Sequence, residues 1–285
     1  MSEPVANRPD QSVLPPVFFH CGLGKVGSTW LQFKVFPHVQ HMRFLRGGTI
    51  EGNERLMQRH PDSRYLISMG LDTQIMDRLV PFARLHRDAG IVIILRQPDS
   101  WIASQYRRYV KNGGHRSFRD FFDLEHDQGL WKRQYLDFYQ LLLDIESLFD
   151  YPPIVLFHED MKQDPLGFVQ LLARIMGTGI NPDQVSLEPY HKSYSTPQLK
   201  VMRQVGRWLY PHQETPTSHT NPVWQWITRR TRLLVSYLFL NLARLIPESW
   251  LGQEPLIPPK ELDAIREAYA GNWAACQAYP GAVRL

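Results

Sequence analysis

Two short apolar runs constrain the fold of this 285-residue chain more than any other feature. They occupy residues 91–95 (IVIIL) and 154–157 (IVLF), and both are rich in β-branched side chains. Runs of this length and type are typical of strands that are buried on both faces. Such strands occur mainly in parallel sheets whose two faces are covered by helices. The rest of the chain therefore has to supply the covering helices.

Strand and helix patterns alternate along much of the chain. Two further strands are predicted at 17–21 and 64–68. Helices are predicted from about Ser28 to Pro37 and over 74–87, 99–110, 131–149, 166–176 and 259–279. This alternation is typical of βαβ units, so we expect an α/β fold of three layers with a mostly parallel central sheet flanked by helices. The loops that follow the strands then lie at the carboxyl edge of the sheet, where such folds bind ligands.

The domain organisation follows from changes in composition along the chain. Residues 1–16 have no apolar core behind a basic start, so we interpret them as a disordered leader and not as a secretory signal. Residues 17–285 are predicted to form a single domain, in which 40–62 is a loop and 210–259 is a cap or insertion. Within the cap, the basic cluster 229–232 precedes an apolar stretch. This segment is either a buried helix with a solvated basic end or a basic amphipathic helix on an anionic membrane surface.

Charge and cysteine content exclude several classes of protein. The chain has 32 basic and 28 acidic residues, a net charge of +4 with neutral histidines. This mild surplus does not indicate a nucleic-acid partner, but it favours a site that holds anions. Cys21 and Cys276 are its two cysteines, which excludes a disulfide framework and favours a reducing, cytoplasmic location. The eleven histidines form no compact ligand pattern, so no metal site is predicted.

A glycine-rich loop between the first strand and the first helix is the strongest functional motif. Residues 20–30 read HCGLGKVGSTW. Backbone N–H groups of such a loop, together with the positive end of a helix dipole, hold phosphate groups. The spacing of Gly22 and Gly27 matches G-x-x-x-x-G-K-[ST] of nucleoside-triphosphate P-loops, yet Ser28 occupies the lysine position and Lys25 lies inside the loop. Lys25 can therefore reach the terminal group of a shorter phosphate chain, unless the segment is only a glycine turn with a solvated lysine.

A second motif follows the apolar run at 91–95 directly. Residues 95–106 read LRQPDSWIASQY, with Arg96 at the end of the strand and Ser104 two turns into the next helix. An arginine fork and a hydroxyl are suited to a second, separate phosphate. Taken alone, Arg96 is more simply an ordinary surface ion-pair partner, but two anion motifs on one edge of a sheet favour a shared site.

The two motifs together resemble those of PAPS-dependent sulfotransferases, especially the bacterial branch related to carbohydrate sulfotransferases. GKVGSTW is similar to the family's 5′-phosphosulfate loop, P-K-[ST]-G-[ST]-T, and LRQPDSWIASQY is similar to its 3′-phosphate motif. Residues 154–164 (IVLFHEDMKQD) resemble the family's next strand and acidic turn. The resemblance covers residues 17–205 and extends more weakly to the last helix.

The resemblance implies sulfuryl transfer from PAPS, as co-substrate and without a metal, to a hydroxyl of a carbohydrate or glycolipid. Its implied 5′-phosphosulfate residues are Lys25, Gly27, Ser28 and Thr29. Arg96 and Ser104 would hold the 3′-phosphate, and Lys192 with Ser193 would belong to a loop that closes over the nucleotide. Trp30 either stacks on adenine or is a core aromatic at the start of its helix.

The catalytic base is the point at which the chain departs from the family pattern. Many relatives place a glutamate or histidine just after the second strand, where this chain has Gly70. Asp72 is the nearest carboxylate and is the predicted base, although it suits an N-cap for a helix that begins near Thr73 equally well. The other candidates are His20, which we expect to be a hydrogen-bonded structural residue, His41 and His115.

Two other classes of function stay open. A small-molecule kinase would use the glycine loop for ATP, but the displaced lysine and the lack of a clear magnesium-binding aspartate beside it argue against this class. Glycine at the position where a glutamate is expected is compatible with a nucleotide-binding protein that has no catalytic activity. Neither the acceptor nor the oligomeric state can be deduced from these motifs.

Overall fold

The structure is a computed structural model that describes residues 14–188, 194–209, 231, 235–246 and 253–285. The chain divides into two compact units. The first contains residues 1–96, 139–190 and 275–285, and the second contains 97–138 and 191–274. The single domain with a leader at 1–16 and a cap at 210–259 stays a prediction, since most of the leader and much of the cap lie outside the described residues.

The first unit contains the five-stranded sheet, and its strands are all parallel. The strands are β1 (Val17–Leu23), β2 (Arg43–Arg46), β3 (Tyr65–Leu71), β4 (Gly90–Leu95) and β5 (Ile154–Phe157). Their spatial order is β2-β3-β1-β4-β5. Helices flank this sheet, so the predicted α/β class with a mostly parallel central sheet is confirmed.

Helices connect the strands and continue beyond them. They are α1 (Ser28–Trp30), α2 (Ile50–Gln58), α3 (Ile75–Ala83), α4 (Pro98–Lys111), α5 (Phe118–Phe121), α6 (Phe138–Leu148), α7 (His158–Gln163), α8 (Pro165–Ile175), α9 (Thr196–Leu209), α10 (Pro259–Ala268) and α11 (Ala270–Gln277). Residues 235–242 are also helical. None of the described helices combines the length and apolar character that are needed to cross a membrane.

The order of the strands determines where the sheet can bind a ligand. From β1 the chain passes to β2 and β3 on one side, and then to β4 and β5 on the other. The carboxyl ends of β1 and β4 therefore form a topological switch point, the usual binding crevice of open parallel sheets. All residues of β1 and β4 are buried, as expected for strands in the middle of a covered sheet.

The helix that follows the glycine loop is irregular. After one α turn at α1 it continues as a π-helix over Leu31–Val35 and as a 3₁₀ turn over Phe36–His38. The predicted end near Pro37 is correct, because Pro37 lies in the first positions of the 3₁₀ turn and has no N–H to donate to a longer helix. Single turns of π-helix are frequent at functional sites.

The prediction of a loop over residues 40–62 is wrong, because this range contains β2 and α2. β2 is a four-residue edge strand with exposed ends, so its sequence lacks an apolar run. α2 buries Ile50, Asn53 and Met57, while the Thr49 hydroxyl accepts a hydrogen bond from the Gly52 N–H as an N-cap. A helix with so few apolar positions has weak periodicity, and its cap was the available signal.

Two long predicted helices are each divided in the structure. The helix predicted over 131–149 consists of a 3₁₀ turn at Arg133–Leu136 and of α6, with Asp137 between them at ψ 73°. The helix predicted over 259–279 consists of α10 and α11, which are separated at Tyr269. Hydrophobic periodicity continues through both breaks because it reports burial and not backbone angles.

The second unit has its own core of helices and aromatic rings. The Trp101 ring on α4 makes edge contacts with Trp131 and Phe138, at 5.3 Å between ring centroids in each case. On α9, Gln198 is buried and its side-chain N–H donates to the Leu240 carbonyl. This hydrogen bond connects α9 to the helical residues 235–242.

Residues near the carboxyl terminus bond to both β5 and α7 in the first unit. The Val155 N–H donates to the Gly281 carbonyl, and the Val283 N–H donates to the Val155 carbonyl, so the last residues run beside β5. Asp160 is buried on α7, and its two oxygens accept from Arg284 Nε and Nη2 at 2.7 and 2.8 Å. The pair therefore attaches the end of the chain to α7.

We expect Arg284→Ala to lower the free energy of unfolding by about 1.5 kcal/mol, because it leaves the buried Asp160 carboxylate without its charged donor. Urea denaturation followed by tryptophan fluorescence measures this change. Arg284→Lys keeps the positive charge but loses the two-pronged contact of the guanidinium. Its free energy of unfolding should therefore lie between those of the wild type and of Arg284→Ala. Arg174→Ala on the exposed face of α8 is the control and should change stability by less than about 0.5 kcal/mol. Equal stability of the Arg284→Ala and Arg174→Ala variants would contradict the assignment.

Candidate functional site

The loop over residues 24–27 makes a sharp turn directly after β1. Lys25 has φ 71° and Gly27 has φ 94°, both in the left-handed region. The left-handed φ of Gly27 favours glycine, and an added Cβ would also displace the flexible end of the Met161 side chain, whose Cε would lie 2.2 Å away. Turns with left-handed residues point successive backbone N–H groups into a concavity that binds anions. The predicted phosphate loop therefore has suitable backbone geometry.

Ser28 stabilises this turn from inside. Its hydroxyl is buried and donates to the Leu23 carbonyl at 2.9 Å. The contact also explains Gly22, where an added Cβ would lie 2.8 Å from the Met69 carbonyl oxygen and 3.0 Å from Ser28 Cβ. The Ser28 hydroxyl is therefore used within the protein, in its hydrogen bond to Leu23. For this reason we assign any contact of Ser28 with phosphate to its backbone N–H.

Asp72 connects the end of β3 to the start of the loop. Its Oδ1 accepts a hydrogen bond from the Gly24 N–H at 2.9 Å. The alternative role as a helix N-cap does not occur, since α3 begins at Ile75 and Gln74 occupies its N-cap position. A carboxylate therefore holds the first residue of the loop.

Arg96 connects the end of β4 to the same loop. Its Nη1 donates to the Lys25 carbonyl at 3.0 Å. Because β1 and β4 are parallel neighbours, the residues that follow them emerge side by side. The structure thus brings together Lys25 and Arg96, which the sequence predicted at two separate motifs.

His158 lies at the same edge and was not predicted as a site residue. It follows β5 directly, and its Nδ1 lies 4.0 Å from the position of a Cβ on Gly27. Burial lowers the pKa of His158 to about 4, and the positive charges of Arg96, Lys162 and Lys25 act in the same direction. The imidazole is therefore neutral at pH 7. The available signal was its position after a buried strand, which is the position that Arg96 occupies after β4.

The charge at this edge suits an anion. Lys25 is exposed and Arg96 is partly exposed, while Asp72 is the carboxylate that bonds to the loop. Lys25 and Arg96 outnumber the carboxylate that bonds to the loop, which favours a phosphate or sulfate ligand. Across the described ranges, no three His, Cys, Asp or Glu side chains come together as metal ligands.

Trp30 and His20 flank the loop in the sequence, and both are buried. Trp30 is 8% exposed, and its indole N–H donates to the Ser186 carbonyl at 2.9 Å. This burial favours the core interpretation of Trp30 over stacking on adenine. The His20 ring is fully buried with Nδ1 2.7 Å from Ser68 Oγ, in agreement with the predicted structural role.

The remaining predicted residues lie in other parts of the chain. Ser104 is partly buried on α4 in the second unit, and His115 belongs to that unit as well. His41 is exposed, with φ 59°, in the segment before β2. Lys192 and Ser193 lie outside the described residues. The pairing of Arg96 with Ser104 and the role of Lys192 stay predictions.

Gly70 lies inside β3 and not in a loop after it. It pairs with Gly22 of β1 and is exposed, whereas all six other residues of the strand are buried. An added Cβ at Gly70 would meet no heavy atom within 4 Å. The position where a glutamate was expected is therefore an open space at the carboxyl edge.

Comparison with solved structures finds similarity to sulfotransferases at low sequence identity. A sulfotransferase from Alicyclobacillus acidocaldarius matches with a TM-score of 0.45 and 16% identity over 79% of this chain and 96% of that chain. Mouse sulfotransferase SULT7A1 complexed with PAP matches with a TM-score of 0.39 and 12% identity, over 92% and 84% of the two chains. Retinol dehydratase in complex with retinol and PAP matches with a TM-score of 0.35 and 12% identity, over 93% and 80%. Neither a protein-family model nor a curated protein matches.

The buried imidazole of His20 predicts loss of stability in acid. Burial lowers the pKa of His20 to about 3, so only the unfolded chain binds this proton as the pH falls below the ordinary histidine value. Stability is complete above about pH 6.5 and decreases toward pH 3, with roughly 2 kcal/mol lost at pH 5 from this residue. Urea denaturation at pH 7.5 and pH 5 measures the loss. NMR titration should show His20 still neutral at pH 5, and a protonated His20 at that pH would refute the cause.

Proposed function

We propose that the chain is a PAPS-dependent sulfotransferase. The observation that carries the proposal is the hydrogen bond between Arg96 after β4 and the loop of Lys25 after β1, at the switch point of a parallel sheet. PAPS carries phosphate groups at both the 3′ and the 5′ positions of its ribose. Two adjoining anion-binding elements, one a backbone loop with a lysine and the other an arginine fork, are suited to such a ligand.

The nucleotide-binding residues are assigned by combining the loop geometry with the motif resemblance. Lys25, Gly27, Thr29 and the Ser28 backbone hold the 5′-phosphosulfate, and Arg96 holds the 3′-phosphate. Ser104 is proposed as the hydroxyl partner of that phosphate and Lys192 as part of a closing loop, both by resemblance alone. Trp30 is assigned a packing role because of its burial.

Sulfuryl transfer from this nucleotide needs positioning and charge stabilisation. The acceptor hydroxyl oxygen attacks sulfur in line, the new O–S bond forms, and the bond from sulfur to the bridging phosphate oxygen breaks. The leaving group is adenosine 3′,5′-bisphosphate, and the Lys25 ammonium stabilises the negative charge on its departing oxygen. The fixed loop amides support this charge without reorganisation.

The proton of the acceptor hydroxyl goes to a base, and Asp72 is our proposed base. Its Oδ1 accepts the Gly24 N–H, and its carboxylate is proposed to take the proton. The same contact supports a second role, in which Asp72 only holds the loop. The two roles make different predictions for an asparagine at this position.

The acceptor is proposed to be a hydroxyl of a carbohydrate or glycolipid in the cytoplasm. The carbohydrate acceptor is supported by the likeness of GKVGSTW and LRQPDSWIASQY to the bacterial carbohydrate branch. The cytoplasmic location is supported by the low cysteine content of the chain. A catalytically silent nucleotide-binding protein is the second candidate, and the observation in its favour is glycine in place of glutamate at position 70. A kinase would instead bind ATP with magnesium.

Adenosine 3′,5′-bisphosphate should raise the melting temperature without magnesium, because the proposed site holds both phosphates and a ligand that binds the native state stabilises it. Differential scanning fluorimetry at increasing nucleotide concentration measures the shift. ATP with or without magnesium is the comparison ligand, and adenosine 5′-monophosphate is the control that lacks the 3′-phosphate. Stabilisation by magnesium-ATP and not by the bisphosphate would identify a kinase-like site.

Transfer of label from radioactive PAPS to a glycan extract should fall by ~10²–10³ in Lys25→Ala, as expected for loss of one preorganised donor. Lys260→Ala at an exposed position is the charge-matched control and should keep full activity. If Asp72 is the base, Asp72→Asn should lose activity by ~10²–10⁴ although its amide oxygen can still accept from Gly24. If Asp72 only holds the loop, Asp72→Asn should stay active and Asp72→Ala should not. Wild-type protein that binds PAPS but labels nothing would indicate the silent binder.

A further inference from the structure

The β2–β3 half of the carboxyl edge has no role in nucleotide binding as assigned above. It contains an exposed pair of side chains, Arg46 at the end of β2 and Phe33 in the π-helix after the glycine loop. The Arg46 guanidinium carbon lies 4.0 Å above the centre of the Phe33 ring. Phe33 is 39% exposed, and Arg46 is exposed as well. An arginine fixed on an aromatic face keeps its N–H fork pointing outward for a planar anion.

Polar side chains lie next to this pair. Arg46 is in register with Ser68 of β3, and Ser68 Oγ accepts a hydrogen bond from Gln32 Nε2 at 2.9 Å. Gln32 is partly exposed and directly precedes Phe33 in the chain. Its amide oxygen is an acceptor that a ligand hydroxyl can use.

Gly70 provides the space beside these groups. It lies two residues after Ser68 on the same strand, so both project from the same face of the sheet. It also pairs with Gly22, which begins the phosphosulfate loop. The open position at Gly70 therefore lies between the Arg46–Phe33 pair and the loop that we assign to the reacting group. We call the group formed by Gln32, Phe33, Arg46, Ser68 and Gly70 the acceptor recess.

We propose that the acceptor recess binds the sulfuryl acceptor and selects a sugar ring that carries an anionic group. The ring packs on the exposed part of Phe33, its carboxylate or other anion pairs with Arg46, and a ring hydroxyl bonds to Gln32. The absence of a side chain at Gly70 lets the reacting hydroxyl approach the loop. This inference depends on the proposed function, since it assigns the second substrate of the same reaction.

The chemistry of the recess favours an anionic ring over a neutral one. Within the described part of the chain, the Arg46 guanidinium forms no salt bridge, so an anion of the ligand gains a charge-assisted fork. A neutral sugar gains only the contacts with Phe33 and Gln32. Discrimination should therefore depend on Arg46, and access for either ring should depend on Gly70.

The test compares two probes that differ in one group, methyl β-D-glucuronide and methyl β-D-glucoside. Each is titrated by isothermal calorimetry into the full chain saturated with adenosine 3′,5′-bisphosphate. The glucuronide should bind at least about tenfold more tightly, as one charge-assisted contact provides. Arg46→Gln should remove the difference. Arg43→Gln, at the other end of β2, is the matched control and should keep it, since its side chain bonds to Ser63 away from the recess.

Gly70→Val should weaken both probes by tenfold or more and leave the affinity for the bisphosphate unchanged. The added side chain meets no protein atom at its Cβ, so the variant should fold, and its melting temperature checks this. Gly271→Ala is the control for adding a side chain at another open glycine. Equal binding of the two probes, no binding of either, or wild-type discrimination in Arg46→Gln overturns the proposal.

Failure of this inference and failure of the proposed function give different results. If the bisphosphate does not bind to the wild-type chain, the proposed function is wrong whatever the sugars do. The two sugars are then titrated into the nucleotide-free chain, where discrimination that depends on Arg46 still supports the recess. If the bisphosphate binds and the sugars fail, the function stands and the recess does not.

Discussion

Parallel hydrogen bonding of β1 with its two neighbours determines where each group of the site lies. β1 pairs with β3 along its whole length, from Val17 with Tyr65 to Leu23 with Leu71. On its other side, Phe18 to Cys21 pair with β4. Because all three strands run the same way, Asp72 and Arg96 emerge beside the loop that follows β1. Their hydrogen bonds to Gly24 and Lys25 follow from this register.

The sequence predicted those parts of the fold whose burial produces a continuous apolar pattern. β4 and β5 are the clearest examples, since burial on both faces permits few other residue types. β2 was missed because an edge strand with exposed arginines at both ends has no such requirement. The breaks at Asp137 and Tyr269 were missed for a different reason, since backbone angles change there while burial continues on both sides.

The sequence could predict those site residues that come directly after a recognisable β-strand. Lys25 and Arg96 could be found because a glycine loop and a buried strand precede them. The partners of individual side chains could not be found in this way. The Ser28 hydroxyl bonds to Leu23, and the Asp72 carboxylate bonds to Gly24, and both depend on the turn geometry of residues 24–27. The assignment of Trp30 depended equally on tertiary context, because its indole N–H reaches Ser186, 156 residues away.

The left-handed backbone of Lys25 has an evolutionary consequence. A residue with a Cβ in this conformation costs roughly 1–2 kcal/mol, whereas glycine adopts it without a comparable penalty. Glycine at this position would therefore relieve conformational strain in the native state, yet it would remove the ammonium group. If natural variants of this chain lose their chemical activity and are selected only for folding, position 25 is where drift toward glycine should appear early. Retention of lysine at position 25 in divergent relatives would then indicate retained catalytic activity, and sequences alone would show it.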